Sequence, residues 1–234
     1  MAPRIDVGGE AIALWEVADL ERHVDRDALL AGDDPPEPPY WAHRWTGAAV
    51  LAEAVPRGAH SAVELGCGLG LPGLAAARRG ARVTFVDRVA APLAFVRASA
   101  AANRLADVQC VVADITTPAV AGPFDLVLAA EVLYDRTAFE AVAHTIARLL
   151  APGGRALVAD ARRIDTRGFY SALDAAGLAW RAVERAVREE GLPLTVRLAG
   201  ARAGRPPPGS SQLGRVRPKG IARSLPSVTS RGLR

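Results

Sequence analysis

Residues 62–70 read Ala-Val-Glu-Leu-Gly-Cys-Gly-Leu-Gly, and this stretch decides the fold of the chain. A short apolar strand reaches an acidic residue, Glu64, and then enters a turn with glycines at 66, 68 and 70. Because glycine has no Cβ, the backbone can turn sharply there and a ligand can lie against it. The apolar run 71–77 begins a helix. This order of strand, glycine turn and helix is typical of the first unit of a nucleotide-type α/β fold.

Strands and helices continue to alternate beyond this unit. The pattern predicts strands over 61–65, 82–86, 108–113, 124–129 and 155–159, and helices over 71–79, 90–103, 137–150 and 166–176. Strands that are continuous apolar runs indicate a parallel sheet covered by helices on both faces. Residues 179–187 and 193–199 fit two antiparallel edge strands. The sequence therefore predicts an α/β fold with a doubly wound, mostly parallel, seven-stranded sheet.

The segments on either side of this core differ from it in composition. Ahead of it, the patterns predict a short strand at 11–17, a helix at 19–31, a proline-rich loop and a helix over 44–55. From residue 201 onward there are eight basic residues and no acidic ones, whereas residues 1–200 carry 21 arginines against 25 carboxylates, a net charge of −4. We predict an N-terminal lid segment at 1–43, one domain at 44–200, and a basic, disordered tail at 201–234.

Composition also excludes several classes of protein. No apolar run approaches the length of a membrane span, and the first residues show no signal-peptide pattern. The two cysteines, Cys67 and Cys110, have no metal-ligand spacing and are expected to be reduced thiols. We therefore expect a cytoplasmic protein, monomeric, with no metal site and no membrane partner.

Four predicted strands each end close to an acidic residue. These acids are Glu64, Asp87, Asp114 and Glu131. The carboxyl ends of parallel strands meet along one crevice, so the four carboxylates are expected to share a site. A carboxylate is a poor neighbour for a phosphate and a good one for an amine. Asp87 suits ribose hydroxyls and Asp114 suits an adenine amino group. The pattern favours S-adenosylmethionine, whose methionine end carries an ammonium.

A dinucleotide is the competing ligand. Residues 68–73 match G-x-G-x-x-G, and Asp87 follows at a suitable distance. Against a dehydrogenase stand Gly66 and Glu64, which precede that match, and the later acids, which a nicotinamide site does not need. The acids favour the sulfonium cofactor over the dinucleotide.

Three longer segments resemble a known family. VELGCGLGLPGLAAARRGARVTFVD, AANRL and FDLVLAAEVLYD are similar to the class I, seven-strand S-adenosylmethionine-dependent methyltransferases. Within that class, the chain resembles the methyltransferase-like family 16, which modifies lysines of non-histone proteins. The narrower likeness comes from the upstream segment PPYWAHRWTGAAVLAEAV and from Glu131-Val-Leu-Tyr134, which fits an Asp/Glu-x-x-Tyr signature. Thr46 departs from the proline often found after the family's tryptophan.

This resemblance implies a role for each matched residue. Gly66, Cys67, Gly68 and Gly70 would line the methionine and ribose side of the cofactor. Glu64 would hold the ammonium, Asp87 the ribose, and Asp114 with Ile115 the adenine. The remaining implied positions are Trp45 at the cofactor, Ala130 beneath it, and Glu131 and Tyr134 facing the incoming nucleophile.

The function expected from the resemblance is methylation of a lysine on a protein substrate. A methyltransferase for a small molecule or RNA is the alternative enzyme: the basic tail favours nucleic acid mildly, and the acidic body opposes it. A third hypothesis is a regulatory protein that binds S-adenosylmethionine without catalysis. The presence of both Glu131 and Tyr134 opposes that hypothesis.

Overall fold

The computed structural model describes residues 2–20, 38–204 and 213–214. The strands are β1 Arg4–Val7, β2 Glu10–Ala13, β3 Ser61–Leu65, β4 Arg82–Asp87, β5 Val108–Val112, β6 Phe124–Ala130, β7 Leu150–Asp160, β8 Leu178–Glu189, β9 Leu192–Ala203 and β10 Leu213–Gly214. The helices are α1 Thr46–Ala54, α2 Leu71–Arg78, α3 Ala90–Ala102, α4 Phe139–Leu149 and α5 Arg167–Ala175. In these ranges, no helix is long and apolar enough to cross a membrane.

The central sheet has the strand order β10-β8-β9-β7-β6-β3-β4-β5. Strands β5, β4, β3, β6 and β7 run parallel, while β9 is antiparallel to both β7 and β8. This confirms the predicted seven-stranded, mostly parallel sheet, to which β10 adds two residues at the edge. The first strand of the unit, β3, lies between β4 and β6, so the chain order reverses beside it. A ligand crevice opens at such a reversal, beyond the carboxyl ends of the strands.

Both faces of the sheet are buried, which makes the fold doubly wound. Along β6, Leu126 and Leu128 pack into a cluster with α1, α2, α3 and the β1–β2 hairpin. The alternate residues Val127 and Ala129 pack into a second cluster with α4 and α5. Since successive side chains of a strand point to opposite faces, one continuous apolar strand supplies both clusters.

The structure corrects several predicted boundaries. Residues 4–7 and 10–13 form an antiparallel hairpin, whereas a single strand was expected at 11–17. The second strand ends at Ala13, and beyond it the backbone N–H of Trp15 donates to Ser99 Oγ of α3 at 2.9 Å. Strand β9 continues to Ala203, four residues beyond the predicted strand end at 199, because it pairs along its whole length with β8. Most of the predicted 19–31 helix and of the 201–234 tail lies outside the described residues.

The glycine turn is fixed by close packing beneath it. A Cβ on Gly73, in the first turn of α2, would lie 2.4 Å from the Phe85 ring and 2.5 Å from Glu64 Oε2. Real Cβ atoms do not approach other atoms this closely, so any residue larger than glycine here would force Phe85 or Glu64 to shift. The start of α2 is thereby held directly against β3 and β4.

We predict that Gly73→Ala destabilises the fold by about 1–3 kcal/mol, the usual cost of overpacking a core. Gly168→Ala is the matched control, because Gly168 also lies in the first turn of a helix. There a Cβ would meet nothing nearer than the Phe139 ring at 3.5 Å. That substitution should be neutral or stabilising by up to ~1 kcal/mol, since alanine favours helix. Urea unfolding of both variants measures the difference, and equal midpoints would contradict the packing argument.

Candidate active site

A cavity of about 1230 Å³ opens at the carboxyl ends of β3, β4 and β6. All twelve residues singled out from the sequence lie on its wall: Trp45, Glu64, Gly66, Cys67, Gly68, Gly70, Asp87, Asp114, Ile115, Ala130, Glu131 and Tyr134. The segment 38–45 closes another side of the same cavity. The structure thus brings the predicted residues together, and their individual roles stay predictions.

Glu64 is the most deeply buried of the four acids, with 1% of its surface exposed. Its Oε2 accepts a hydrogen bond of 2.7 Å from the backbone N–H of Gly73, in the first turn of α2. The pKa of Glu64 is raised to about 8, chiefly by burial and to a smaller extent by the nearby Asp87 carboxylate, while the hydrogen bond from Gly73 opposes this rise. A buried carboxyl of this kind gains most from a cation placed beside it.

Asp87 ties the glycine turn to the end of β4. One carboxylate oxygen accepts from the backbone N–H of Gly68 at 2.9 Å, and the other accepts from Val89 at 3.0 Å. Each oxygen keeps a second lone pair for a ligand hydroxyl. The position of Asp87 beside the turn is therefore fixed by the backbone on both sides of the crevice.

Asp114 lies at the open side of the cavity. Its carboxylate accepts hydrogen bonds from both the backbone N–H and the hydroxyl of Thr116, at 2.7 and 2.6 Å. These bonds lower the pKa of Asp114. The group is a fixed, ionised acceptor at neutral pH, which suits an amino group as partner.

Glu131 follows β6 and has a left-handed backbone, with φ of +56°. This conformation is unfavourable for a residue with a Cβ and marks local strain. Its N–H nevertheless keeps a bond of 2.9 Å to Ala159 on β7. The turn redirects the Glu131 side chain toward α1, where Oε1 is packed so closely that a Cβ on Gly47 would lie 2.1 Å from it.

The surroundings of the Glu131 carboxyl combine burial with several charges. Burial raises its pKa to about 7, while the backbone N–H of Ala161 and the Arg163 guanidinium hold it down. Asp160 and Glu189 raise it. Oε2 accepts from Ala161 at 3.2 Å, and Oε1 is buried with no hydrogen-bond partner among the described residues.

Aromatic rings border the same side of the cavity. Tyr134 is 63% exposed at the mouth. Trp45 precedes α1, and its indole N–H donates to the Tyr40 carbonyl at 3.0 Å. The His43 ring meets Trp45 edge-on, with centroids 4.5 Å apart. Rings and a carboxylate around one opening are suited to an apolar chain that ends in a cation.

Two charged residues that line this cavity were not predicted from the sequence. Asp160 ends β7 and lines the cavity, and the rule that selected the other strand-end acids would have selected it. Arg163 also lines the cavity, where its guanidinium lies 4.8 Å from the Trp45 ring centroid. Its partner Glu189 is 26 residues away at the end of β8, so no local pattern signals the pair.

The donors and acceptors of the cavity fit S-adenosylmethionine. The glycine turn removes side chains from the floor: a Cβ on Gly66 would meet Val132 at 2.8 Å, and one on Gly68 would meet the Trp41 carbonyl at 3.1 Å. The buried Glu64 suits an ammonium, the fixed Asp87 suits hydroxyls, and Asp114 suits an amino group. The volume exceeds what one cofactor needs and leaves space for an acceptor.

Comparison with known proteins agrees with this assignment. Residues 63–158 match the family model described as Methyltransferase domain. The match runs from β3 through most of β7, and it includes the glycine turn and all four strand-end acids. Residues 63–158 thus match a methyltransferase domain, and S-adenosylmethionine is the cofactor that this match supports.

Among individual relatives, the mouse (Mus musculus) protein N-lysine methyltransferase METTL21A is 36% identical over 130 residues, which is 49% of this chain. This chain spans 58% of the length of that relative. Among solved structures, the N-methyltransferase NodS from Bradyrhizobium japonicum WM9, in complex with S-adenosylhomocysteine, superimposes with a TM-score of 0.56 at 22% identity. The overlap covers 79% of this chain and 96% of NodS. YcgJ from Bacillus subtilis gives 0.57 at 12% identity, covering 68% and 98%. These two likenesses support the fold.

We predict that Glu64→Gln makes the free protein relatively more stable as pH rises. A carboxyl with its pKa raised in the folded state, here to about 8 from 4.5, binds protons more tightly when folded. Its contribution to stability is therefore lost as pH rises through this interval. The glutamine cannot ionise, so the difference in unfolding free energy between variant and wild type should grow from pH 5 to pH 9. Urea unfolding at several pH values measures it, and a difference independent of pH would refute the buried ionisation.

Proposed function

We propose that this protein transfers a methyl group from S-adenosylmethionine to a lysine side chain of a protein substrate. The observation that carries the proposal is the acceptor wall, which we define as Trp45, Glu131, Tyr134 and Arg163 at the cavity mouth. It combines aromatic faces with a carboxylate of raised pKa. The similarity to a protein N-lysine methyltransferase supports the same substrate class.

The division of the cavity supports transfer between two bound molecules. Glu64, Asp87 and Asp114 would hold the cofactor on one side, around the glycine turn. When bound, S-adenosylmethionine supplies an electrophilic methyl group on its sulfonium. The acceptor wall lies on the other side, at the ends of β6 and α1. Methyl transfer is an in-line displacement, so these residues have chiefly to orient an acceptor and exclude water.

A lysine acceptor must lose a proton before its nitrogen can attack, and its ordinary pKa is about 10.4. Tyr134 offers a hydroxyl and a ring face to orient the amine at the mouth. Glu131 is placed to attract the ammonium form and to fix its position. Its own pKa of about 7 means that it carries this negative charge fully only above neutral pH. Alkaline pH therefore favours the proposed reaction in two ways, because the lysine loses its proton more readily and Glu131 is fully ionised.

We predict that Tyr134→Phe lowers turnover on a protein substrate by about tenfold or more, while S-adenosylhomocysteine affinity stays within twofold, because the hydroxyl serves the acceptor side only. Tyr170→Phe is the matched control, since Tyr170 is buried beneath Arg197 and outside the cavity. Transfer of radiolabelled methyl into the proteins of a cell lysate measures turnover, and calorimetry measures affinity.

The form of the labelled product decides the substrate class. A discrete protein band, with methyl-lysine found after hydrolysis, is the expected result. Label removed by ribonuclease, or found only in small molecules, would contradict the lysine assignment. Tight S-adenosylhomocysteine binding without transfer to any acceptor would contradict enzymatic activity itself.

A further inference from the structure

Arg163 lies in the acceptor wall and has three partners there. Its guanidinium carbon lies 4.8 Å from the Trp45 ring centroid. Its Nη2 donates to both carboxylate oxygens of Glu189, at 3.1 and 2.9 Å. Its Nε is 3.9 Å from Glu131 Oε2, which is an ion pair without a hydrogen bond. A cation on an aromatic face, between two carboxylates, has the surroundings expected for a cationic acceptor.

The two ion pairs differ in strength. Glu189 is held by two hydrogen bonds, and its Oε1 also accepts from Thr46 Oγ1 at 2.9 Å, so this end of Arg163 is anchored to α1 as well as to β8. Glu131 is more distant and makes no hydrogen bond to Arg163. The contact with Glu131 can therefore break while the contact with Glu189 remains.

Because Glu131 is buried, Arg163 covers the side from which a ligand can reach its carboxylate. The Glu131 side chain is 7% exposed, and its Oε1 is enclosed against Gly47. Oε2 faces the backbone N–H of Ala161 and the guanidinium of Arg163. A cation that approaches Oε2 meets the place that Arg163 holds.

We propose that Arg163 is the resident counter-ion of the acceptor wall, a positioning residue that neutralises Glu131 in the free enzyme. When a cationic acceptor binds, it replaces Arg163 beside Glu131, while Arg163 stays bound to Glu189. The proposal deepens the function proposed above and rests on it for the nature of the acceptor. The charge balance of Arg163 and Glu131 in the free protein does not depend on that function.

The charged groups facing Glu131 explain why this counter-ion matters. Asp160 at the end of β7 and Glu189 at the end of β8 both raise the pKa of Glu131, and Arg163 lowers it. Helix α1 contributes Thr46 and Gly47 on its side, neither of which carries a charge. Without Arg163, the Asp160 and Glu189 carboxylates would still raise the pKa of Glu131. None of the other side chains that shift this pKa would lower it.

The first experiment titrates Glu131 directly, in full-length protein labelled with ¹³C at the glutamate carboxyl carbons. Glu131→Gln assigns the resonance. Arg163→Ala should raise the pKa of Glu131, whereas Arg163→Lys should leave it near the wild-type value. Arg162→Ala is the matched control: Arg162 is 47% exposed against 43% for Arg163, and it pairs with Glu184 at 2.9 Å. A shift in Arg163→Ala no larger than that in Arg162→Ala would overturn the counter-ion role.

The second experiment tests displacement with n-butylammonium, which reproduces the end of a lysine side chain. Its affinity for the protein saturated with S-adenosylhomocysteine is measured at pH 9, where Glu131 is ionised, from the shift of the Glu131 carboxyl resonance. Arg163→Ala should bind it about two- to fivefold more tightly than wild type, because the ion pair of Arg163 with Glu131, which competes with the ligand and is exposed on its arginine side, is removed. Arg162→Ala should match wild type.

Equal or weaker butylammonium binding by Arg163→Ala, with unchanged S-adenosylhomocysteine affinity, would overturn the displacement. Neither experiment needs turnover. If the wild type methylates no lysine and yet both variants behave as expected, the proposed function fails while the counter-ion role stands.

Discussion

The hydrogen bond from the Gly73 N–H to the Glu64 carboxylate is the constraint on which the rest of the site depends. It joins the end of β3 to the first turn of α2 across the glycine turn, inside a wall that tolerates no Cβ on Gly73. Because this carboxyl is buried, it raises the free energy of the empty site when ionised and is stabilised by a cation in the cavity. One contact therefore shapes the turn, and it holds in place a carboxyl that would favour a cationic ligand.

A second carboxyl with a raised pKa lies on the acceptor side of the cavity, but its charge is offset by a cation of the chain. Glu131 is also a largely buried carboxyl, held in a left-handed turn at the end of β6, and its pKa is raised to about 7. Here a cation from the chain itself, Arg163, offsets the charge. Of the carboxyls that line the cavity, Glu64 has no paired cation among its described neighbours, whereas Glu131 has a resident one. This asymmetry suits a site that holds one cationic ligand throughout and exchanges another.

The sequence predicted the sheet and a set of residues that share one cavity, because both depend on local patterns. Strand periodicity, the glycine turn and the acids at strand ends are read over a few residues, and all twelve predicted site residues share one cavity. The pairing of Arg163 with Glu189 depends on where the β8–β9 hairpin places a strand end beside α1. Nor did the residue type reveal the left-handed backbone of Glu131. Such features arise from tertiary packing, which no short window of sequence contains.

Calorimetry of S-adenosylhomocysteine binding at pH 7, in buffers that differ in heat of ionisation, tests the central claim most directly. With its pKa at about 8, Glu64 is largely protonated in the free protein at this pH. An ammonium bound beside it favours the ionised form, so binding should release close to one proton, and Glu64→Gln should abolish most of that release. Tight binding without proton release, or with the same release in Glu64→Gln, would contradict the assignment of Glu64 as the partner of the cofactor's ammonium.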